Sequence, residues 1–348
     1  MNKEFELRKI SDARPHLMGL ATLWVVFFHS IRLNFYQPWL LGHPHLMDVL
    51  NRLREEGNCG VDIFFFLSGL GLFFSWTRLQ ETSEHLLLDF YKRRASRILP
   101  PVLVASVLYY GWIGTKGTRD WLGKILFLNN FSSSQEGNQY WFFALLLLLY
   151  LCYPLIWEII DRWRTPGAMI LIAVTVLGPL MLRRIFSETY FIKTEILWTR
   201  IPIFVVGVLC GWLIRRGIRI PVWIPIACLP LAALTWYEIR LIPEEYLFLR
   251  RYAYGVLTVF IALSHAWLCM LWKKRGRLYR IVTTIGSYSL EIYLIYEGLY
   301  LYNPIGFKNY DSMGIVYALT VFVATLLLAS LQKTALDRLC GAVKAHEE

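Results

Sequence analysis

The sequence has no long polar stretch, since no segment between its apolar runs exceeds roughly 25 residues. This absence excludes a separate soluble domain of ordinary size, which needs about 50 residues or more. The six cysteines form no CxxC pair and no His–Cys spacing typical of a metal site. Most of them lie in or near apolar runs, where cysteine behaves as a small hydrophobic residue. We therefore expect neither a disulfide framework nor a metal site.

Apolar residues make up 56% of the 348 residues. They come in successive runs of about 17–22 residues, the length that crosses a bilayer as a helix. We predict an all-α, polytopic membrane protein with one domain over 1–348, in which 1–15 is a cytoplasmic N-terminal segment and 333–348 a cytoplasmic tail. The ten predicted spans are roughly 16–35, 60–78, 98–115, 140–160, 167–183, 199–215, 221–238, 252–272, 282–302 and 312–332.

The net charge of +11 is spread over short basic clusters between the apolar runs. A nucleic-acid-binding protein would gather these charges on one face, so we expect no nucleic-acid partner. About 22 of the 36 basic residues fall in alternate connections, which is the positive-inside pattern. The pattern places both termini in the cytoplasm and makes the lipid bilayer the partner of the chain.

One ionisable side chain, His29, lies in the outer half of the first predicted span. Ionisable groups at membrane depth are costly and mark functional sites, and histidine is the side chain best suited to act as a base near neutral pH. Asp62 begins the second span at a similar depth, where a carboxylate can orient an imidazole. Two alternatives stay open: His29 hydrogen-bonds a neighbouring helix, and Asp62 accepts from free N–H groups at a helix start.

Three arginines attract attention for different reasons. Arg94 and Arg97 lie three positions apart, which puts them on one helix face and suits a phosphate or carboxylate ligand. Ordinary anchoring at the cytoplasmic face is the alternative explanation. Arg200 stands at the outer start of a span, against the positive-inside trend.

Two carboxylates, Glu291 and Glu297, lie inside an apolar run and should face the interior of the helix bundle. They are candidates for substrate positioning, with buried hydrogen bonding as the alternative. Trp141 and Tyr150 bracket a leucine-rich run at positions typical of interfacial aromatics. Gly207 and Gly211 form a GxxxG pattern that predicts close helix packing.

Six of these stretches occur in an order that resembles the integral-membrane acyltransferase 3 family. They are GLATLWVVFFHS (19–30), GVDIFFFLSG (60–69), FYKRRASRILPP (90–101), YWFFALLLLLYLCYP (140–154), RIPIFVVGVLCG (200–211) and IGSYSLEIYLIYE (285–297).

The resemblance implies acyl transfer, most often of acetyl, to a hydroxyl of a cell-envelope or exported carbohydrate. It implies that His29 is the catalytic histidine and that Arg94 and Arg97 hold the donor, cytoplasmic acetyl-CoA. We expect His29 to act as general base, Asp62 to stabilise the imidazolium, and Arg200 with the outer aromatics to contact the acceptor. A transient acyl-histidine stays open as an alternative. The bacterial cytoplasmic membrane and envelope polysaccharide machinery are the implied setting.

The chain departs from the family pattern at several positions. Many members have an arginine where this chain has Met18, and Arg14 or His16 are the candidates to replace that cation. Many also have a glutamate between Trp141 and Tyr150, where this chain has only Ala, Leu and Phe. Two other functions stay open: an exporter of a glycan or lipid-linked sugar that transfers no acyl group, which ten spans and intramembrane carboxylates would also suit, and an acyltransferase-like scaffold without activity, which Met18 suggests.

Overall fold

The computed structural model describes residues 3–29, 42–113, 117–131, 140–185, 188–272, 276–302 and 319–335. These residues are almost entirely helical, which confirms the all-α prediction. The helices are α1 (Arg8–His29), α2 (Pro44–Glu55), α3 (Cys59–Thr82), α4 (Leu86–Ile113), α5 (Thr118–Ile125), α6 (Trp141–Ile185), α7 (Glu188–Trp198), α8 (Ile201–Arg215), α9 (Trp223–Ile239), α10 (Leu247–Leu271), α11 (Arg277–Ser287), α12 (Ser289–Tyr302) and α13 (Leu319–Ala335). Single 3₁₀ turns are found at Glu56–Asn58, Leu128–Phe131 and Glu244–Tyr246.

Four helical segments of the described chain are long and apolar enough to cross a bilayer. They are Pro44–Thr82, Trp141–Ile185, Tyr190–Arg215 and Leu247–Leu271. Trp223–Ile239 and Leu319–Ala335 are also apolar but shorter. The number of ten spans and the cytoplasmic position of both termini stay predictions.

The longest helix, α6, covers two of the predicted spans and is interrupted at Arg164. Arg164 has φ 55° and ψ −137°, which lies outside the helical region. The predicted boundary between spans 140–160 and 167–183 falls at the same place. A glycine follows closely, and a Cβ at Gly167 would approach the carbonyl oxygen of Ile159 to 2.5 Å. The absence of a side chain there lets the chain change direction tightly.

The N-terminal segment is part of the fold and not a free tail. Strand β1 (Glu4–Glu6) pairs antiparallel with β2 (Arg219–Pro221), and Phe5 is fully buried. Helix α1 then begins at Arg8, eight residues before the predicted span. Arg14 and His16 consequently lie inside the same helix as His29.

The early start of α1 follows from an amphipathic pattern that the charged residues conceal. Ile10, Ala13 and Leu17 are buried at helical spacing, while Arg8 and Asp12 are exposed. An apolar stripe of this kind is enough to continue the helix beyond the purely apolar run.

Glycines allow the central helices to approach closely. A Cβ at Gly207 of α8 would overlap the carbonyl oxygen of Phe66 in α3, and one at Gly211 would lie 2.7 Å from Phe73. The close packing predicted for the GxxxG pattern is therefore confirmed. On the other side of the bundle, Gly19 of α1 lies against the backbone of Val282 in α11. These contacts hold α1 against α11 and fix its orientation.

Candidate active site

A cavity of about 290 Å³ lies between α1, α3, α4, α6 and α12. We call it the arginine cavity, because Arg14, Arg94 and Arg97 all line it. The last two arginines come from one face of α4, as their three-residue spacing predicts. Tyr150 of α6 completes this end, and the guanidinium carbon of Arg94 lies 6.0 Å from the centre of its ring. The cavity is therefore lined by cationic side chains from two helices, α1 and α4.

Arg14 enters the cavity across a glycine. A Cβ at Gly71 of α3 would lie 2.7 Å from Nη2 and 2.9 Å from Cζ of Arg14. Any larger residue at Gly71 would therefore displace the guanidinium. Met18, one helical turn after Arg14, lines the same cavity. Of the two candidates for the cation absent at Met18, Arg14 is the one in the cavity; the ring of His16 stacks instead on Tyr279 with centroids 4.1 Å apart.

The electrostatics of the arginine cavity are those of a binding site for an anion. Burial lowers the pKa of Arg14, and the neighbouring charge of Arg97 lowers it further. Burial likewise lowers the pKa of Arg94, with Arg97 acting in the same direction and Tyr150 opposing it. The Nε atoms of Arg14 and Arg94 are buried and have no hydrogen-bond partner among the residues that the structure describes. No acidic side chain is found in the described lining of this cavity.

A second cavity, of about 490 Å³, adjoins the first and shares Arg14 and Arg97 with it. Its wall also contains Glu291 of α12 and Lys333 of α13. Glu291 is buried, as predicted, and lies on the arginine side of the bundle. The side chain of Glu297 lies outside the described residues.

His29, the last residue of α1, lines a small chamber of about 10 Å³. Three residues of this chamber, Phe64, Ser289 and Tyr293, also line the arginine cavity. Arg14 and His29 are fifteen positions apart in α1, which is about 22 Å along a helix. One continuous helix therefore carries a cation at one end and the imidazole at the other, with a shared wall between their cavities.

The predicted contact between Asp62 and His29 is not formed. Asp62 makes a buried ion pair with Arg200, and both side chains are almost completely enclosed. Arg200 also donates from Nη2 to Asn58 Oδ1 at 3.2 Å. Asp62 and Arg200 were expected to serve the base and the acceptor separately, but they neutralise each other between α3 and α8. The pairing has a physical reason, because each charge would be costly to bury alone.

A second buried ion pair lies nearby. Arg251 of α10 approaches Glu195 of α7 to 3.4 Å, and the ring centre of Tyr254 lies 5.6 Å from the guanidinium of Arg200. We call Asp62, Arg200, Glu195 and Arg251 the buried charge network. It joins α3, α7, α8 and α10.

The two predicted aromatic residues, Trp141 and Tyr150, lie in different environments. Tyr150 lines the arginine cavity, and its expected contact with the acceptor stays a prediction. Trp141 lies at the start of α6, where its ring packs near Phe65 with centroids 6.5 Å apart.

The sequence indicated Arg14 only as a candidate for the cation absent at Met18. It did not indicate Gly71, Ser289 or Tyr293 as site residues. A signal for Arg14 was available, since it precedes Met18 by four residues and so occupies the same helix face. Nothing in the sequence indicates that Ser289 and Tyr293 would reach the first helix, because that contact depends on the packing of α1 with α11 and α12.

A family model described as an acyltransferase domain matches residues 16–331. The match extends from the second half of α1 to α13 and includes Arg94, Arg97 and His29. No curated protein and no solved structure gives a significant match to the chain.

Proposed function

The chain belongs to the acyltransferase 3 family, and from this premise we propose that it moves an acetyl group from cytoplasmic acetyl-CoA to a hydroxyl of an exported or cell-envelope carbohydrate. One observation carries the proposal: the arginine cavity and the His29 chamber share the wall formed by Phe64, Ser289 and Tyr293. A donor held by cations at one end of α1 can then reach a base at the other end. The proposed setting is the cytoplasmic membrane of a bacterium.

The arginine cavity suits the phosphates of coenzyme A. Guanidinium groups donate in pairs to phosphate oxygens, and the buried Nε atoms of Arg14 and Arg94 need an acceptor. We assign Arg94 and Arg97 to the donor phosphates and Arg14 to the same anion. Tyr150 supports Arg94 from the side and belongs to the donor end of the site.

Acetyl-CoA supplies the acetyl group as an activated thioester. A ring nitrogen of His29 takes the proton from the acceptor hydroxyl while the acceptor oxygen bonds to the thioester carbonyl carbon; the C–S bond then breaks, and the imidazolium gives the proton to the departing thiolate of coenzyme A. The apolar wall of the chamber, with Val25 and Phe64, limits the access of water to this proton. Asp62 is paired with Arg200 and takes no part in the proton transfer.

The acceptor reaches His29 from the far end of α1. Trp141 remains a candidate for contact with a sugar ring, and Glu291 is a candidate for positioning at the donor end. Envelope polysaccharide machinery is the proposed partner that delivers the carbohydrate.

The function is tested by deleting the gene in its host and restoring it as wild type, His29→Ala or His45→Ala. His45 lies on the exposed face of α2 and serves as the matched control. Loss of a general base lowers the rate by about a hundredfold or more. We expect alkali-labile acetyl on surface glycans, measured by mass spectrometry, to fall to background only with His29→Ala. Wild-type acetylation by His29→Ala at equal protein level would contradict the proposal, and a glycan exporter without acyl transfer would then be favoured.

A further inference from the structure

Three potential metal ligands meet on the face of α1 that is turned away from the arginine cavity. They are His16 of α1, and His265 and Cys269 of α10. We call them the His–His–Cys cluster. His265 and Cys269 lie four positions apart on one helix face, whereas His16 is 249 residues away in sequence from His265. The sequence spacing alone therefore did not predict a metal site.

The distances within the cluster approach those of a metal site. His16 Nδ1 and His265 Nε2 are 3.1 Å apart, and Cys269 Sγ is 3.3 Å from His265 Nε2. The three ligand atoms all lie within 4.8 Å of one another. Around a tetrahedral zinc ion, two nitrogens lie about 3.3 Å apart and a nitrogen and a sulfur about 3.5 Å apart, given the usual bond lengths. The two separations are therefore within about 0.2 Å of those around one zinc ion.

From this geometry we propose that His16, His265 and Cys269 bind a zinc ion, with water as the fourth ligand. Two imidazole nitrogens and one thiolate form a borderline-soft donor set that suits zinc and not magnesium or calcium. Tyr279 stacks on the ring of His16, and Trp272 meets the same ring edge-on with centroids 6.0 Å apart. These ring contacts restrict the orientation of the His16 imidazole.

The site has a consequence for the arrangement of α1. Arg14 and His16 are two residues apart, which places them about 200° apart around the helix. The metal would attach α1 to α10 on one side, while Arg14 faces the arginine cavity on the other. This proposal does not depend on the donor or the acceptor of the proposed reaction.

Cobalt(II) substitution tests the proposal by a readout separate from activity. The full chain is purified in detergent with a histidine-free affinity tag, stripped with a chelator and titrated with cobalt. We expect one equivalent to produce a thiolate-to-cobalt charge-transfer band together with the visible bands of tetrahedral cobalt. Cys269→Ser should abolish the charge-transfer band, while Cys152→Ser, at an exposed cysteine of α6, should leave it unchanged.

A second measurement uses the wild-type protein and so does not depend on the folding of a variant. Zinc should slow alkylation of Cys269 by roughly tenfold or more, because a metal-bound thiolate is a poor nucleophile towards the reagent. Cys152 should react at the same rate with and without zinc and provides the internal control. The absence of a charge-transfer band, or its survival in Cys269→Ser, or equal alkylation of Cys269 with and without zinc, would reduce the cluster to a hydrogen-bonded chain and overturn the proposal.

Discussion

Arginine side chains have opposite environments in the arginine cavity and in the buried charge network. In the network, Arg200 is fully enclosed and paired with Asp62, and Arg251 is paired with Glu195. In the cavity, Arg14, Arg94 and Arg97 face open volume, and the described lining contains no acidic side chain; Glu291 lines the adjoining cavity with Arg14 and Arg97. Charges of the first kind offset the cost of burying each other, so that removing only one of them destabilises the helix bundle. Charges of the second kind are available to a ligand.

The difference shows why a conspicuous charge in an apolar run is an ambiguous sign of function. Arg200 and Asp62 stand out in the sequence more than Arg14 does, yet the structure joins the first two to each other. The distinguishing property is the partner, which becomes visible only when helices that are distant in sequence are assembled. The two regions should therefore respond oppositely to mutation, in stability for one and in donor binding for the other.

The largest expected effect is on stability at Asp62. Replacing it by alanine leaves Arg200 buried without its counter-charge, which costs about 3–5 kcal/mol. We expect a large drop in the free energy of unfolding, measured by denaturant titration in detergent micelles. Asp48→Ala, which removes the partner of Arg52 on the exposed face of α2, should cost at most about 1 kcal/mol.

A double variant shows whether Asp62→Ala destabilises the protein because Arg200 is left as an unpaired buried charge or because other contacts of Asp62 are lost. Asp62→Leu with Arg200→Met removes both charges together and should recover most of the stability that Asp62→Ala loses. If the double variant is as unstable as the single one, the ion pair is not the reason for the effect, and the contrast between the two regions is weakened.

The next effect concerns donor binding and is tested at Gly71. A leucine there would occupy the position of the Arg14 guanidinium, whose flexible end can move without unfolding the chain. Loss of a hydrogen bond to a charged group costs about 1.5–3 kcal/mol, so the KM for acetyl-CoA should rise roughly tenfold or more. Gly178→Leu is the control, since a Cβ at Gly178 meets nothing within 4 Å. An unchanged KM with Gly71→Leu would show that Arg14 does not contact the donor.

The smallest effect is expected at an exposed ion pair. Arg219 of β2 lies 3.2 Å from Glu6 and 3.4 Å from Glu4 of β1, and all three side chains are about half exposed. Because solvent screens such pairs, Arg219→Ala should change the free energy of unfolding by at most about 1 kcal/mol and leave acetyl transfer unaltered. A loss comparable to that of Asp62→Ala would mean that burial does not separate structural from surface charges in this protein.

Local signals predicted much of the helical architecture. The apolar runs predicted helices. The GxxxG pattern of Gly207 and Gly211 predicted the close packing that α8 makes with α3, and the three-residue spacing of Arg94 and Arg97 predicted that they share one helix face. These features depend on neighbours in sequence, where helical periodicity is reliable. Helix α1 begins eight residues before the predicted span, because charged residues concealed the buried stripe of Ile10, Ala13 and Leu17.

The contacts that the sequence did not predict join residues that are far apart in the chain. Asp62 and Arg200 are 138 residues apart, and no pattern in either stretch specifies the other. The pairing of β1 with β2 and the contact of His16 with His265 have the same origin, since each joins elements that lie far apart in the sequence. Helix packing determines such contacts, and its outcome depends on side-chain shape across the whole bundle.

The most direct test of the arginine cavity as the donor site is the affinity for coenzyme A, measured by isothermal titration with the purified protein in detergent. Arg14→Ala should weaken binding roughly tenfold or more, while Arg78→Ala, at an exposed arginine of α3, should leave it unchanged. Adding Met18→Arg to Arg14→Ala should restore part of the affinity, because residue 18 lines the same cavity. If Arg14→Ala is folded like the wild type and binds coenzyme A with wild-type affinity, the arginine cavity is not the donor site.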